Sequence, residues 1–276
     1  MRHEHPNKAR MDEIQANLNS HPGSVAWRRW VTLRRSSAAL YGNIAELRAL
    51  LEAPNSNFLL GGQLAGNMHP EVQRRFNDEL DRRLLNFGSS ASALVDISRR
   101  ILGDYGGTDF FEEYERRRAP LSEHPAPRFL RDLRNFLQHF GVAPIGFRMS
   151  RTDEGTYEFH VLLARDALLG WEKWSADVKQ YLIDGPKQIP LLALVTDYGA
   201  MVRELYDWVF SQFELLHTDD VAGANALIGE YNRALTGREE WEREGMRVRP
   251  GPGPAPTAGV DVSEPDHPHE ARQASS

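Results

Sequence analysis

Arg134, Asn135 and His139 are the residues of this sequence whose types and spacing best suit chemistry. An imidazole changes charge near neutral pH, so it can take a proton from a ribose 2′-hydroxyl or give one to a leaving oxygen. A guanidinium offers a planar fork to phosphate oxygens and stays charged while negative charge grows on them. An amide can orient the imidazole or hold the phosphate. Together they suit metal-independent cleavage of a phosphodiester that carries a neighbouring 2′-hydroxyl, which restricts the chemistry to RNA. Arg131 and Gln138 flank them as candidate substrate-binding residues. The competing reading is a helix-surface arginine and a helix-ending histidine that serve only packing and capping. With 29 Arg and 10 His in the chain, an Arg and a His five apart recur about once by chance, the false-positive risk of any short motif. The context therefore has to carry the weight.

That context is an amphipathic helix. Phe129, Leu130, Leu133, Phe136, Leu137 and Phe140 form one apolar stripe over about 128–140. Arg131, Arg134, Asn135, Gln138 and His139 are left off it, and Gly141 is placed to end the helix. Asn135 and His139, four apart, share a face. Arg134 and His139, five apart, lie roughly 140° apart around the axis.

The longest helix expected elsewhere runs from Pro70 to Leu102, with Val72, Phe76, Leu80, Leu84, Phe87, Ala91, Leu94, Ser98 and Ile101 at steps of three and four. Its middle, Gly88-Ser89-Ser90-Ala91-Ser92, is a run of small residues. Glycine weakens a helix interior by up to about 1 kcal/mol, so Gly88 suggests the close approach of another backbone or a ligand. Further helices are expected over 25–52 in part, 108–118, Trp171–Ile183, Pro190–Leu216 and Asp219–Leu235. Residues 53–68 and the Pro120–Pro127 stretch read as a loop and a link. The period changes to two over Ile145, Phe147, Met149 and again over Tyr157, Phe159, Val161, Leu163, with Thr152-Asp153-Glu154-Gly155 as the turn between them. A lone hairpin is marginal, so it must pack on helices.

The resulting expectation is a mainly α protein: a helical bundle with one inserted or appended β-hairpin. A flexible arm (1–23) precedes one globular domain (24–246, hairpin near 145–163), and a disordered tail (247–276), rich in Pro, Gly, Ser and Glu, follows.

The chain has no cysteine. That excludes disulfides, thiolate metal sites and thiol nucleophiles. The start has no apolar leader and no segment approaches the length of a membrane span, so a cytoplasmic protein without a membrane partner is expected. Net charge is −6 overall, but residues 1–150 carry 21 Lys+Arg against 17 Asp+Glu, a net of +4. A basic face for a polyanion should therefore lie in the first half. No cofactor is expected. The His3/His5 and His267/His269 pairs and the Glu112-Glu113-x-Glu115 run are poor metal sites, the last reading as a solvated face. His160 falls on the polar phase of the second strand, so exposure is the default. Trp171 and Trp174 read as core.

The segment LRNFLQHFGVAPI resembles the signature helix of HEPN-type domains, small bundles whose pattern is an Arg, often a polar residue, and a His a few positions on. RRLLNFGSSASALVDISRRIL is similar to the long helix before it. The resemblance covers roughly 70–140, with matching helix order over 171–235. It implies a metal-independent ribonuclease of the kind found in toxin–antitoxin and antiphage systems, with two signature helices paired in a homodimer and an antitoxin or other protein as partner. The alternative it implies is a non-catalytic module that binds RNA, nucleotides or a protein. Only Arg134, Asn135 and His139 carry over.

Overall fold

A computed structural model describes residues 7–66 and 69–236. The expected tail, 247–276, and its flank from 237 lie outside them.

The chain forms helices α1 (Lys8–Ser20), α2 (Pro22–Ser56), α3 (Phe58–Ala65), α4 (Pro70–Leu102), α5 (Asp109–Glu123) and α6 (Pro125–His139). The strands β1 (Ile145–Arg151) and β2 (Tyr157–Ala164) follow. Then come α7 (Arg165–Leu168), α8 (Ala176–Asp184), β3 (Gln188–Pro190), α9 (Leu191–Leu216) and α10 (Thr218–Thr236). The mainly helical architecture with a hairpin is as the sequence implies. The core lies where α2 packs on α4 and α9 and α6 closes over α4. The α4 stripe is buried as its period requires, from Phe76 through Leu80, Leu84, Phe87, Ala91 and Leu94 to Ile101. Buried Ser98 on the same stripe is hydrogen bonded to the Tyr206 hydroxyl of α9, which satisfies both polar groups.

The hairpin packs as its marginal stability demands. Phe159 is buried, and its ring meets Phe58 of α3 at 5.7 Å between centroids. Phe147 is half-buried against Phe76 of α4 at 5.4 Å. A third strand joins it: β3 pairs antiparallel with β2, giving the order β1-β2-β3. Beyond the end of β3, Asn55 of α2 takes the place of a neighbouring strand. Its Nδ2 donates to the Phe159 carbonyl (2.9 Å) and its Oδ1 accepts the Phe159 N–H (2.7 Å).

Four expectations are corrected. Most of the presumed arm is helix: α1 buries Ile14 and Leu18 against Ala224, Leu227, Ile228 and Tyr231 of α10. Its order comes from this tertiary contact rather than from a strong pattern of its own. The presumed loop over 53–68 is largely helical. Pro54 sits in the last turn of α2, and Asn57 then caps α3 by accepting the Leu60 N–H at 3.1 Å. The proline-rich link is also helical, because α5 runs through Pro120 and Pro125 opens α6 with His124 as its cap. Trp171 and Trp174 precede α8 rather than lie on it. Both are buried, as expected, and the Trp174 indole N–H donates to the Leu168 carbonyl at 2.7 Å.

Candidate functional site

Helix α6 begins where the His124 ring nitrogen accepts the Ala126 N–H and Pro125 fixes the first turn. It buries Phe129, Leu130, Leu133 and Phe136. Phe136 stacks on Trp174 (5.7 Å, 10° between planes) and meets Trp171 edge-on. The helix ends where the N–H groups of Phe140 and Gly141 both reach the Phe136 carbonyl. Gly141 does not adopt the positive φ expected of a glycine stop; only Gly107 and Gly155 do so among the described residues.

With this stripe fixed, the five candidate residues fall on one outward arc. In angular order they are Arg134, Gln138, Arg131, Asn135 and His139, spanning roughly 140° at 100° per residue. Arg131, Asn135, Gln138 and His139 are exposed. Arg134 and His139 form the two edges of this polar face rather than a single cluster.

Arg134 differs from the others because it is half-buried at the crossing of α6 over α4. Gly88 makes room for it: a Cβ built on Gly88 would stand 2.6 Å from the Arg134 Cβ. The run of small residues in α4 therefore serves the close approach of another helix, and what approaches is the candidate arginine itself. The Arg134 Nε is buried with no hydrogen-bond partner among the described residues. Most other arginines on these helices are matched to acids. Arg82 and Arg83 share Glu79, Arg116 and Arg117 share Glu113, Arg118 meets Glu115, and Arg128 meets Asp177. Among the described residues, the acid that Arg131 meets is its neighbour Asp132, at 3.4 Å. The acidic run at 112–115 thus carries surface ion pairs, as a solvated face would, and hydrogen bonds from Arg116 and Arg117 hold the Glu113 carboxyl below its ordinary range.

Just beyond the helix, Asp81 of α4 accepts the Ala143 N–H at 3.1 Å and pins the chain that leaves His139. Burial pushes the Asp81 carboxyl up; the Ala143 hydrogen bond partly offsets this, and nearby Asp78 adds to it. Phe140 and Val142 on that same turn are 53% and 75% exposed, an apolar pair beside His139.

The Gly88 contact yields a measurable expectation. Gly→Ala in a helix interior ordinarily stabilises by about 1 kcal/mol. Gly88→Ala is expected instead to destabilise by about 1–3 kcal/mol, because the added methyl lands on the Arg134 stem. Arg134→Gly in the same chain should recover most of that loss in a denaturation double-mutant cycle. A stabilising Gly88→Ala, or no recovery, would mean that the two helices do not cross there.

Two other polar arrangements escaped the sequence reading. The His217 ring joins Asp220 through Nδ1 (2.9 Å) and the Tyr105 hydroxyl through Nε2 (2.7 Å), a contact spanning more than a hundred residues of chain. Burial raises the Tyr105 phenol, while nearby Arg29 opposes the shift. His160 is half-buried, not exposed, and its Nε2 lies 2.9 Å from the Ser150 hydroxyl across the hairpin. Among the described residues no group of three or more His, Asp or Glu could hold a metal ion, and His3, His5, His267 and His269 lie outside them. No helix of the described residues is long and apolar enough to cross a membrane. No family model, curated protein or solved structure matches the chain.

Proposed function

We propose that the chain binds RNA across the outward face of α6 and cleaves it there without a metal. One observation carries this reading: Arg134 is seated by Gly88 at the edge of a face that also bears Asn135 and His139, and among the described residues no carboxylate pairs with its guanidinium. A guanidinium held by packing, rather than by a carboxylate, keeps its donors for an incoming phosphate.

In this mechanism neutral His139 takes the proton of the ribose 2′-hydroxyl as that oxygen attacks the adjacent phosphorus. Arg134 stabilises the charge that grows on the non-bridging oxygens. The 5′-oxygen leaves with a proton from a protonated imidazole, giving a 2′,3′-cyclic phosphate and a 5′-hydroxyl end. Arg134 and His139 stand at opposite edges of the face, so a second copy of α6 supplies the second imidazole and the active species is a homodimer. Arg131, Asn135 and Gln138, between the two edges, hold the strand.

The test is purified protein with total RNA and with DNA of matching sequence, both in the presence of a chelator. RNA fragments ending in cyclic phosphate, with DNA intact, support the proposal. Intact RNA over a broad panel overturns it in favour of a non-catalytic helical interaction module. Phe140 and Val142, exposed beside His139, are the observation that favours that second reading.

A further inference from the structure

The sheet is closed along one side and open along the other. On the far side of β2, β3 pairs with residues 162–164, and the Asn55 amide answers both backbone groups of Phe159. The register of β1 on β2 then fixes which way β1 faces. Residues opposite one another in an antiparallel pair either exchange both backbone hydrogen bonds or turn both away. Phe159 turns its N–H and C=O to Asn55, so Met149 opposite it turns its own to the outer edge of β1. Phe147 and Arg151, two positions to either side, share that phase. Among the described residues no hydrogen bond reaches the N–H or C=O of these three. Arg148, Met149 and Arg151 are exposed, which leaves the row open to an approaching strand. Proteins ordinarily blunt such an edge with a proline, a bulge or a covering segment. β1 has no proline and runs seven residues without a bulge.

The two faces of the edge specify what an added strand must carry. Toward the helices, Phe147 and Met149 continue an apolar surface formed by Tyr157, Phe159 and Phe58, of which Met149, Tyr157 and Phe58 are exposed. On the opposite face stands Arg148, with no acid paired to it among the described residues. Its cross-strand neighbour is His160, which the Ser150 hydroxyl meets at 2.9 Å and the Glu158 carboxylate at 3.7 Å. The carboxylate of this face therefore lies on β2, away from the edge. Asp153 and Glu154 lie in the turn, past the end of β1. Arg151 reaches the Gly155 carbonyl rather than an acid. A second copy of β1 fits this edge poorly, because it would bring Arg148 and Arg151 of both copies to one seam, and like charges facing one another destabilise a sheet.

We infer that β1 takes up, as a fourth strand, an extended segment of a partner protein that alternates apolar and acidic residues. Main-chain hydrogen bonds to Phe147, Met149 and Arg151 hold the segment. Its apolar side chains lie along Met149 toward Phe58, and its acids face Arg148.

The test uses the full chain and an end-blocked peptide of alternating Val and Glu, as long as β1. In the free chain, amide exchange should be fast at Phe147, Met149 and Arg151 and slower at Arg148 and Ser150, whose backbone groups pair with β2. Saturating peptide should slow the first three and leave the other two unchanged. The same peptide N-methylated at its valines, which are the residues that face β1, should show no binding up to about 1 mM. A peptide of alternating Val and Lys should bind about 3-fold or more weakly than the Glu peptide, and Arg148→Glu should reverse that order. Met149→Pro removes an outward donor without touching the β1–β2 ladder, as an edge tolerates, and should abolish binding while Ser150 stays protected. Were that variant to misfold, Arg148→Glu changes an exposed side chain alone and still decides. The proposal is overturned if peptide leaves the three outward amides as fast as before, if the N-methylated peptide binds equally, or if Arg148→Glu keeps the original order. Protection that rises with protein concentration in the absence of peptide would assign the edge to a second copy and overturn it as well.

Discussion

His139→Ala is expected to lower RNA cleavage by about 10²–10⁴-fold, the usual worth of one acid–base group. Stability should be almost unchanged. His139 is exposed on the last turn of α6 and off its buried stripe, and such surface changes usually stay within about 0.5 kcal/mol. Arg134→Ala should cost a comparable factor through loss of phosphate stabilisation. Unlike His139→Ala, it should also reduce stability measurably, because the arginine stem packs at Gly88. That asymmetry separates a chemical role from a structural one. Arg134→Lys keeps charge and most of the stem while removing the fork, so it should restore stability far better than activity. Equal cleavage by wild type and His139→Ala would trace the activity to a contaminating nuclease and sink the catalytic assignment.

Elements whose burial is written into a long period were legible from the chain alone. The stripe from Phe76 to Ile101 shows one face of α4 over about seven turns, and the alternation around Phe147 and Phe159 shows a hairpin that must lean on helices. What escaped was structure created by contact. Helix α1 has only Ile14 and Leu18 to bury, too little to distinguish it from a polar arm until α10 lies beside it. Strand β3 is three residues, Gln188-Ile189-Pro190, too short for any period to appear. Pro54 and Pro120 misled because local reading puts the stop at the proline, whereas α2 runs on to Ser56 and α5 to Glu123 despite the N–H bond each proline removes.

The candidate site divides in the same way. That Arg131, Arg134, Asn135, Gln138 and His139 share the outward arc of one helix follows from the apolar stripe opposite them. That Arg134 is half-sunk while the other four are exposed does not, because it depends on Gly88, 46 positions earlier, meeting it at the helix crossing. The small-residue run at 88–92 hinted at a close approach without naming what would approach. The Tyr105–His217–Asp220 chain had no local signal, since each residue taken singly is ordinary for a helix end.

The largest stability effect is expected at Gly23, in the first turn of α2, where α10 crosses. A Cβ there would stand 2.0 Å from the Asp220 carbonyl oxygen and 2.8 Å from the Val221 nitrogen. Both are backbone atoms, so no rotamer change relieves the overlap and α10 must move by about an ångström or more. Overpacking of this kind costs about 1–3 kcal/mol, and the backbone-on-backbone contact puts Gly23→Ala at or above the upper end. The loss should not be uniform. Helix α1 packs mainly on α10 and forms with it a small apolar cluster separate from the main core. The pair should therefore detach as a unit, seen as faster amide exchange over Lys8–Ser20 and Thr218–Thr236 while α4, α6 and α9 stay protected. Gly42→Ala, on the same helix but facing open space, is the control and should be neutral or stabilising by up to about 1 kcal/mol. RNA cleavage at the α6 face should survive Gly23→Ala, since α6 packs on α4, α5, α8 and α9 rather than on α10. If Gly23→Ala matched Gly42→Ala in midpoint and exchange, the close crossing of α2 and α10 would be wrong.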